Sequence, residues 1–232
     1  KSLIISEEIV DKKGISNTLN NIGLIYLNQG NYDKSISIYN RCLRISKELE
    51  DKNGLGNALN NIGLVYQNQG DFTKALDYFK RSLIIKEKLG EKKGVLNSLN
   101  NIGILYRQLD KNVMALNYYN RSLVIAKELE DKNGLGNALN NIGLVYKEMG
   151  DFTKALDYFK RSLVIIEKLG NKRGISHCFN NIASIYIEQR NYPKTKDYII
   201  KSLKISREIG DQTSTARSLY NIGLVYQNQG DF

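Results

Sequence analysis

The chemistry-bearing side chains that this sequence repeats are amides rather than acids, bases or nucleophiles. Asparagine stands at Asn17, Asn57, Asn97 and Asn137, and again at Asn21, Asn61, Asn101, Asn141, Asn181 and Asn221. A primary amide carries donors and an acceptor together. A row of them can therefore clasp the C=O and N–H groups of an extended peptide, while Leu64, Ile104 and Leu144 beside them receive apolar side chains. Asn competes for local backbone groups inside a helix and costs about 0.5 kcal/mol each there, so its repetition calls for a reason. A second reason stays open: neighbouring helices could use these amides to hydrogen-bond one another. Asn20, Asn60, Asn100, Asn140 and Asn180 flank the row and are expected to be structural. One adjoining position varies, reading Leu27, Gln67, Arg107, Lys147, Ile187 and Gln227. There Arg107 and Lys147, with Arg217 further along, are expected to attract a carboxylate of the ligand.

Other site chemistries are missing from the pattern. His177 is the single histidine, and it cannot share a metal with Cys178, because adjacent helical residues point about 100° apart. It stands where other copies carry Asn17 or Asn57. There is no glycine-rich phosphate loop, no Ser/His/Asp arrangement and no pair of carboxylates set for acid–base work. Neither a catalytic activity nor a cofactor is expected. Cys42 occupies a small core position shared with Ser82, Ser122, Ser162 and Ser202, and it lies more than three repeats from Cys178. Two free thiols fit a reducing compartment, so a cytoplasmic location is expected.

The amides recur because the whole chain recurs. NNIG begins at Asn20, Asn60, Asn100 and Asn140, NNIA at Asn180 and YNIG at Tyr220, a period of 40 residues without insertion. A sustained period of this size marks an array of small units, each unable to bury its own apolar face alone. Complete units run 11–50, 51–90, 91–130, 131–170 and 171–210, with partial units at 1–10 and 211–232, and 1–232 is expected to form a single array. Units 51–90 and 131–170 differ only at 67, 68, 69, 84 and 86. Each unit carries two helical patterns. In 51–90, Asp51 caps a helix with apolar Leu59, Ile62, Val65 and Tyr66, Gly70 ends it, and Asp71 caps a second helix that lines up Ala75, Phe79, Ser82 and Lys86. Pro193, the single proline, falls in a first turn, where its missing N–H does no harm. Within the first helix, at about 100° per residue, positions 57, 61, 64 and 68 share one stripe opposite Leu59 and Tyr66. The fold class is all-α, built of antiparallel helical hairpins.

The spacing Leu59-x2-Ile62-Gly63-x2-Tyr66, followed by Gly70, Ala75 and Phe79, resembles the tetratricopeptide repeat signature, with Leu in place of its Trp and without its terminal Pro. The longer unit is similar to the repeats of the Pins/LGN proteins, kinesin light chains and bacterial sensor and regulator proteins. The resemblance implies an α-solenoid coiled as a right-handed superhelix, whose first helices line a concave groove. It also implies that Asn21, Asn61, Asn101, Asn141, Asn181 and Asn221 hold a ligand backbone there. A protein or peptide is thus the expected partner, and a scaffold or sensor module of a larger regulatory protein the expected role.

The net charge of +10 is uneven, and half of it sits in 171–210, where eight basic residues oppose three acidic ones. Such a patch suits an acidic partner or a phosphate backbone, and equally a solvated outer face. Basic residues are not interleaved with free aromatics, because the tyrosines belong to the core pattern, so nucleic acid is not the expected partner. No run approaches the ~20 apolar residues that span a bilayer, and no membrane contact is expected of this segment. The opening KSLIISEEIV matches KSLKISREIG at 201–210, so the chain is expected to be a piece of a longer array. Its ends would then offer complementary apolar faces for end-to-end self-association.

Overall fold

The computed structural model describes residues 11–229. The partial unit 1–10 and the last three residues, on which the expected self-association partly depends, lie outside the described residues. The described residues form eleven helices and no strand: α1 (Lys12–Asn28), α2 (Tyr32–Glu48), α3 (Lys52–Gln69), α4 (Phe72–Lys88), α5 (Lys92–Gln108), α6 (Asn112–Glu128), α7 (Lys132–Glu148), α8 (Phe152–Lys168), α9 (Lys172–Glu188), α10 (Tyr192–Glu208) and α11 (Gln212–Gln229). They fall into two compact units, Lys1–Asp110 and Lys111–Phe232. Within each, consecutive helices pack on one another, and the architecture is an all-α repeat solenoid.

The corners that join the helices are built alike except before α6, where Lys111 stands at the cap position and makes no side-chain bond. An acid or amide opens the next helix by accepting a backbone N–H three residues on, as Asp51 does from Gly54 at 2.9 Å and Asp71 from Lys74 at 3.0 Å. At the preceding helix end one residue turns into the left-handed region, and the next N–H reaches back to an orphan carbonyl, Asp71 to Tyr66 at 3.0 Å and Asp51 to Ser46 at 2.8 Å. Glycine fills most of these corners. Glu50, Asp110, Glu130 and Arg190 hold the same conformation at φ of 51 to 55°. Pro193 sits in the first turn of α10, where the sequence places it.

Close approach within a hairpin explains the recurring Gly of the signature. A Cβ on Gly63 would lie 2.7 Å from the Phe79 ring, and one on Gly143 would meet Phe159 at the same distance. The first unit's core joins Ile15, Leu19, Tyr39, Cys42, Ala58, Ile62 and Val65. The second's gathers Ala155, Phe159, Ile182, Ile185 and Tyr186. Tyr66 stacks on Tyr78 with ring centroids 5.5 Å apart, and the Lys74 ammonium lies over the Tyr66 ring at 5.2 Å. Tyr146, Tyr158 and Lys154 repeat the arrangement.

Candidate functional site: the first-helix faces

In the first unit α1, α3 and α5 present the amide stripe. Asn17, Asn21, Asn57 and Asn97 are exposed, and Asn61, Leu64, Asn101 and Ile104 are half-buried. The amides at the second stripe position bind the flanking asparagine of the preceding repeat, Asn61 Nδ2 donating to Asn20 Oδ1 at 3.2 Å and Asn101 Nδ2 to Asn60 Oδ1 at 2.9 Å. Helix-to-helix bonding, the alternative left open by the sequence, is thus part of what these residues do. At the variable position Gln67 Nε2 donates to Gln108 Oε1 at 3.0 Å, and half-buried Arg107 stands on α5. Asn17, Asn20, Asn53 and Asn57 also line a polar recess of about 230 Å³ between α1 and α3.

Beneath Asn57 lies a buried cation that the periodic reading placed only in a helix stripe. The Lys86 side chain, 4% exposed, runs from α4 to the N-terminal ends of α3 and α5. Two glycines make room: a Cβ on Gly56 would lie 2.9 Å from Lys86 Cε, and one on Gly94 2.6 Å from Cδ. Its ammonium donates to Asn57 Oδ1 at 2.6 Å and to Asn53 Oδ1, and it pairs with Glu91 at 3.0 Å. The Lys86 bond ties the Asn57 amide into the packing of α3 against α4. In the near-duplicate repeat Ile166 takes this place, 2.6 Å from where a Gly136 Cβ would stand.

In the second unit α7, α9 and α11 carry the stripe. Asn137 is exposed, while Asn141 and Leu144 are half-buried. Asn181 repeats the rung, donating to Asn140 Oδ1 at 2.7 Å, and its own Oδ1 accepts from Arg217 Nη2 at 2.7 Å. It is only 2% exposed, so its amide is enclosed rather than offered to a ligand. Asn221 is likewise enclosed, and its Nδ2 has no hydrogen-bond partner among the described residues. The cause lies in Asn180, the acceptor that the rung pattern would give it. Asn180 is drawn into a buried network, its Nδ2 donating to Ser202 Oγ at 2.8 Å and its Oδ1 accepting from Ser218 at 2.9 Å. Ser176 and Ser202 complete that network with hydroxyls 2.7 Å apart.

The charged groups of this unit gather around α9. Burial lowers the pKa of Lys147, Arg217 lowers it further, and Glu188 opposes the shift. Burial also lowers that of Arg217. His177 is held below its ordinary value by burial, then by Arg217, against the opposing Asp211. Asp211 accepts from the Ser214 N–H and hydroxyl, which keep its carboxyl below the usual range, and it pairs with Arg173 at 3.2 Å. Much of the basic excess in 171–210 is engaged locally: Lys172 with Glu208, Lys201 with Asp197, and Lys194 over the Tyr186 ring.

Cys42 and Cys178 are free and buried, their thiol pKa values raised by burial. Among the described residues no three His, Cys, Asp or Glu side chains gather to hold a metal. No described helix is long and apolar enough to cross a membrane.

These hairpins, their length and their corner chemistry are those of a tetratricopeptide array. The family profile for the tetratricopeptide repeat matches residues 14–88, 94–168 and 175–232, and the chain belongs to that family. No curated protein sequence matches it. Among solved structures it is similar to BtubC (BKLC) from P. vanneervenii, at 20% identity and a TM-score of 0.80, over 90% of this chain and 89% of that one. It is similar to aspartyl phosphate phosphatase F from Bacillus subtilis, at 16% identity and a TM-score of 0.85, over 99% of this chain. A Rap protein complexed with Competence and Sporulation Factor follows at 19% identity and a TM-score of 0.77, over 89% of this chain. The chain spans only 61% and 57% of the lengths of the latter two. At these identities the likeness is one of fold.

Proposed function

We propose that the chain is a protein-interaction module that takes an extended peptide along its first-helix faces. The observation that carries this reading is the set of exposed amides, Asn17 and Asn97 in the first unit and Asn137 in the second, with Asn57 exposed as well but engaged by Lys86. Apolar Leu64, Ile104 and Leu144 stand half-buried beside them. A peptide laid there satisfies its backbone on the amides and seats alternate side chains on the apolar residues. The second row shares its amides between helix pairing and the ligand at Asn61, Asn101 and Asn141, while Asn21 is exposed. A related fold that holds a second molecule, the Rap protein complexed with Competence and Sporulation Factor, supports the reading. The module binds and performs no reaction of its own. Arg107 and Lys147 add attraction for acidic ligand groups.

Selection from a randomised displayed-peptide library tests this. The unmodified protein should enrich a peptide set. The variant with Asn17, Asn97 and Asn137 all replaced by Ala should lose about tenfold or more in affinity for that set, since two or three hydrogen bonds are removed. Its helicity and melting temperature should stay unchanged, because the three side chains are exposed. Equal affinity in the variant would sink the proposal.

A further inference from the structure

We propose that α6 is an interface between copies of this chain, its outer face pairing antiparallel with the same face of a second copy about a twofold axis. The inference is independent of the peptide reading and concerns a second helix, away from the amide stripe.

One face of α6 carries it. At about 100° per residue, Val113, Asn117, Asn120 and Val124 fall on one narrow stripe. All four are exposed, Val113 at 75% and Val124 at 53%. The stripe is without charge, and every other second helix carries charge at the matching positions. On α4 and α8 these include Asp77 with Lys80 and Asp157 with Lys160. Each aspartate there is held by an arginine of its own helix, Arg81 at 3.3 Å and Arg161 at 3.2 Å. In α6, Asn117 stands in place of the aspartate and Asn120 in place of the lysine. Exposed Met114 likewise replaces the lysine that lies over a tyrosine ring at Lys74 and Lys154. A solvated helix face ordinarily keeps its charges, whereas a face that loses its water does better without them.

The order of the residues selects the occupant. The stripe reads Val-x3-Asn-x2-Asn-x3-Val, the same in both directions. An antiparallel second copy therefore sets Val113 against Val124 and Asn117 against Asn120, each contact occurring twice. An amide donates and accepts at once, so the asparagines can satisfy one another across the seam. Polar residues in such a seam fix register and strand number at a cost in stability. The ends match as well. Asp110 and Lys111 precede α6, and Lys127 and Glu128 lie at its end, so antiparallel pairing brings an acid and a base to a base and an acid. The start of α6 has no acidic residue in its first turn and no side-chain cap, and the antiparallel copy brings the negative end of its helix dipole there. The contact is one helix wide, below the roughly 800 Å² per partner of a standard interface, so the dimer is weak and reversible.

Sedimentation equilibrium of the full chain from about 10 μM to about 1 mM tests this. The average mass should rise with concentration toward that of two chains. Asn117→Asp combined with Asn120→Asp opposes like charges twice and should weaken association about tenfold or more. Its helicity and melting temperature should stay unchanged, since both side chains are exposed. Asn117→Asp combined with Asn120→Lys pairs opposite charges only in the antiparallel register, and it should keep the dimer. A mixture of Val113→Cys and Val124→Cys chains should cross-link on mild oxidation, and neither should do so alone. A single species at every concentration overturns the proposal. Association that the doubly acidic variant leaves intact overturns it too, by assigning the contact to another surface. Loss of association in the opposite-charge variant, or cross-linking of Val113→Cys by itself, overturns the antiparallel pairing.

Discussion

Lys86 shows how one side chain can divide two otherwise matching repeats. Its ammonium is removed from water and compensated by Glu91 and two asparagines, whereas Ile166 fills the same place without charge. A buried pair is a weak source of stability, yet half of one is a large liability. Glu91→Gln should therefore destabilise the first unit by about 2 kcal/mol, and Lys86→Ile together with Glu91→Gln should recover most of that loss. Urea unfolding of the single and double variants checks both. Equal losses would show that Glu91 acts through its bond to the Gly94 N–H rather than through Lys86. The sequence places Lys86 in a core stripe but cannot reveal that it threads between Gly56 and Gly94. That follows from how closely α3 and α5 approach, which no single repeat encodes.

At the level of elements, the helices and their ends were legible because each rests on local chemistry. Asp51, Asp71 and Gly70 cap and terminate where the pattern places them. The amide rungs were legible only as one of two alternatives, because the pairing of Asn61 with Asn20 depends on the offset between successive repeats rather than on any helix alone. The diversion of Asn180 into the serine network was not legible at all, since it needs Ser202 and Ser218 from two other helices together. The corners also carry a stability reserve. Glu50, Glu130 and Arg190 hold the left-handed conformation at a cost that Gly avoids. Glu130→Gly should raise stability by about 1 kcal/mol, visible as a higher denaturant midpoint with an unchanged slope. Around α9 the pH dependence has a defined sign. Because His177 is held below its unfolded pKa of about 6.5, its unfolded form binds protons first as pH falls. Stability is thus full above that value and declines as pH drops through it toward the native pKa. His177→Asn, the residue found at the matching positions of four other repeats, should flatten this part of the profile in denaturant midpoints measured from about pH 7.5 to about pH 5.5.

For the whole molecule, the shared corner makes the repeats interchangeable at their joints, and Lys86 limits that freedom. Two deletions of whole repeats, equal in length, bring this out. Loss of 51–130 joins Glu50 to Asp131 and takes Lys86 and Glu91 away together. Loss of 91–170 joins Gly90 to Asn171, so that Lys86 keeps its glycine-lined passage but meets an amide in place of Glu91. The first shortened chain should melt cooperatively near the parent temperature, and the second should lose about 3 kcal/mol from its stranded cation, as thermal and urea unfolding of the two would show. The buried lysine thereby sets two cuts of equal length apart: one removes it together with its counter-charge, and the other strands it.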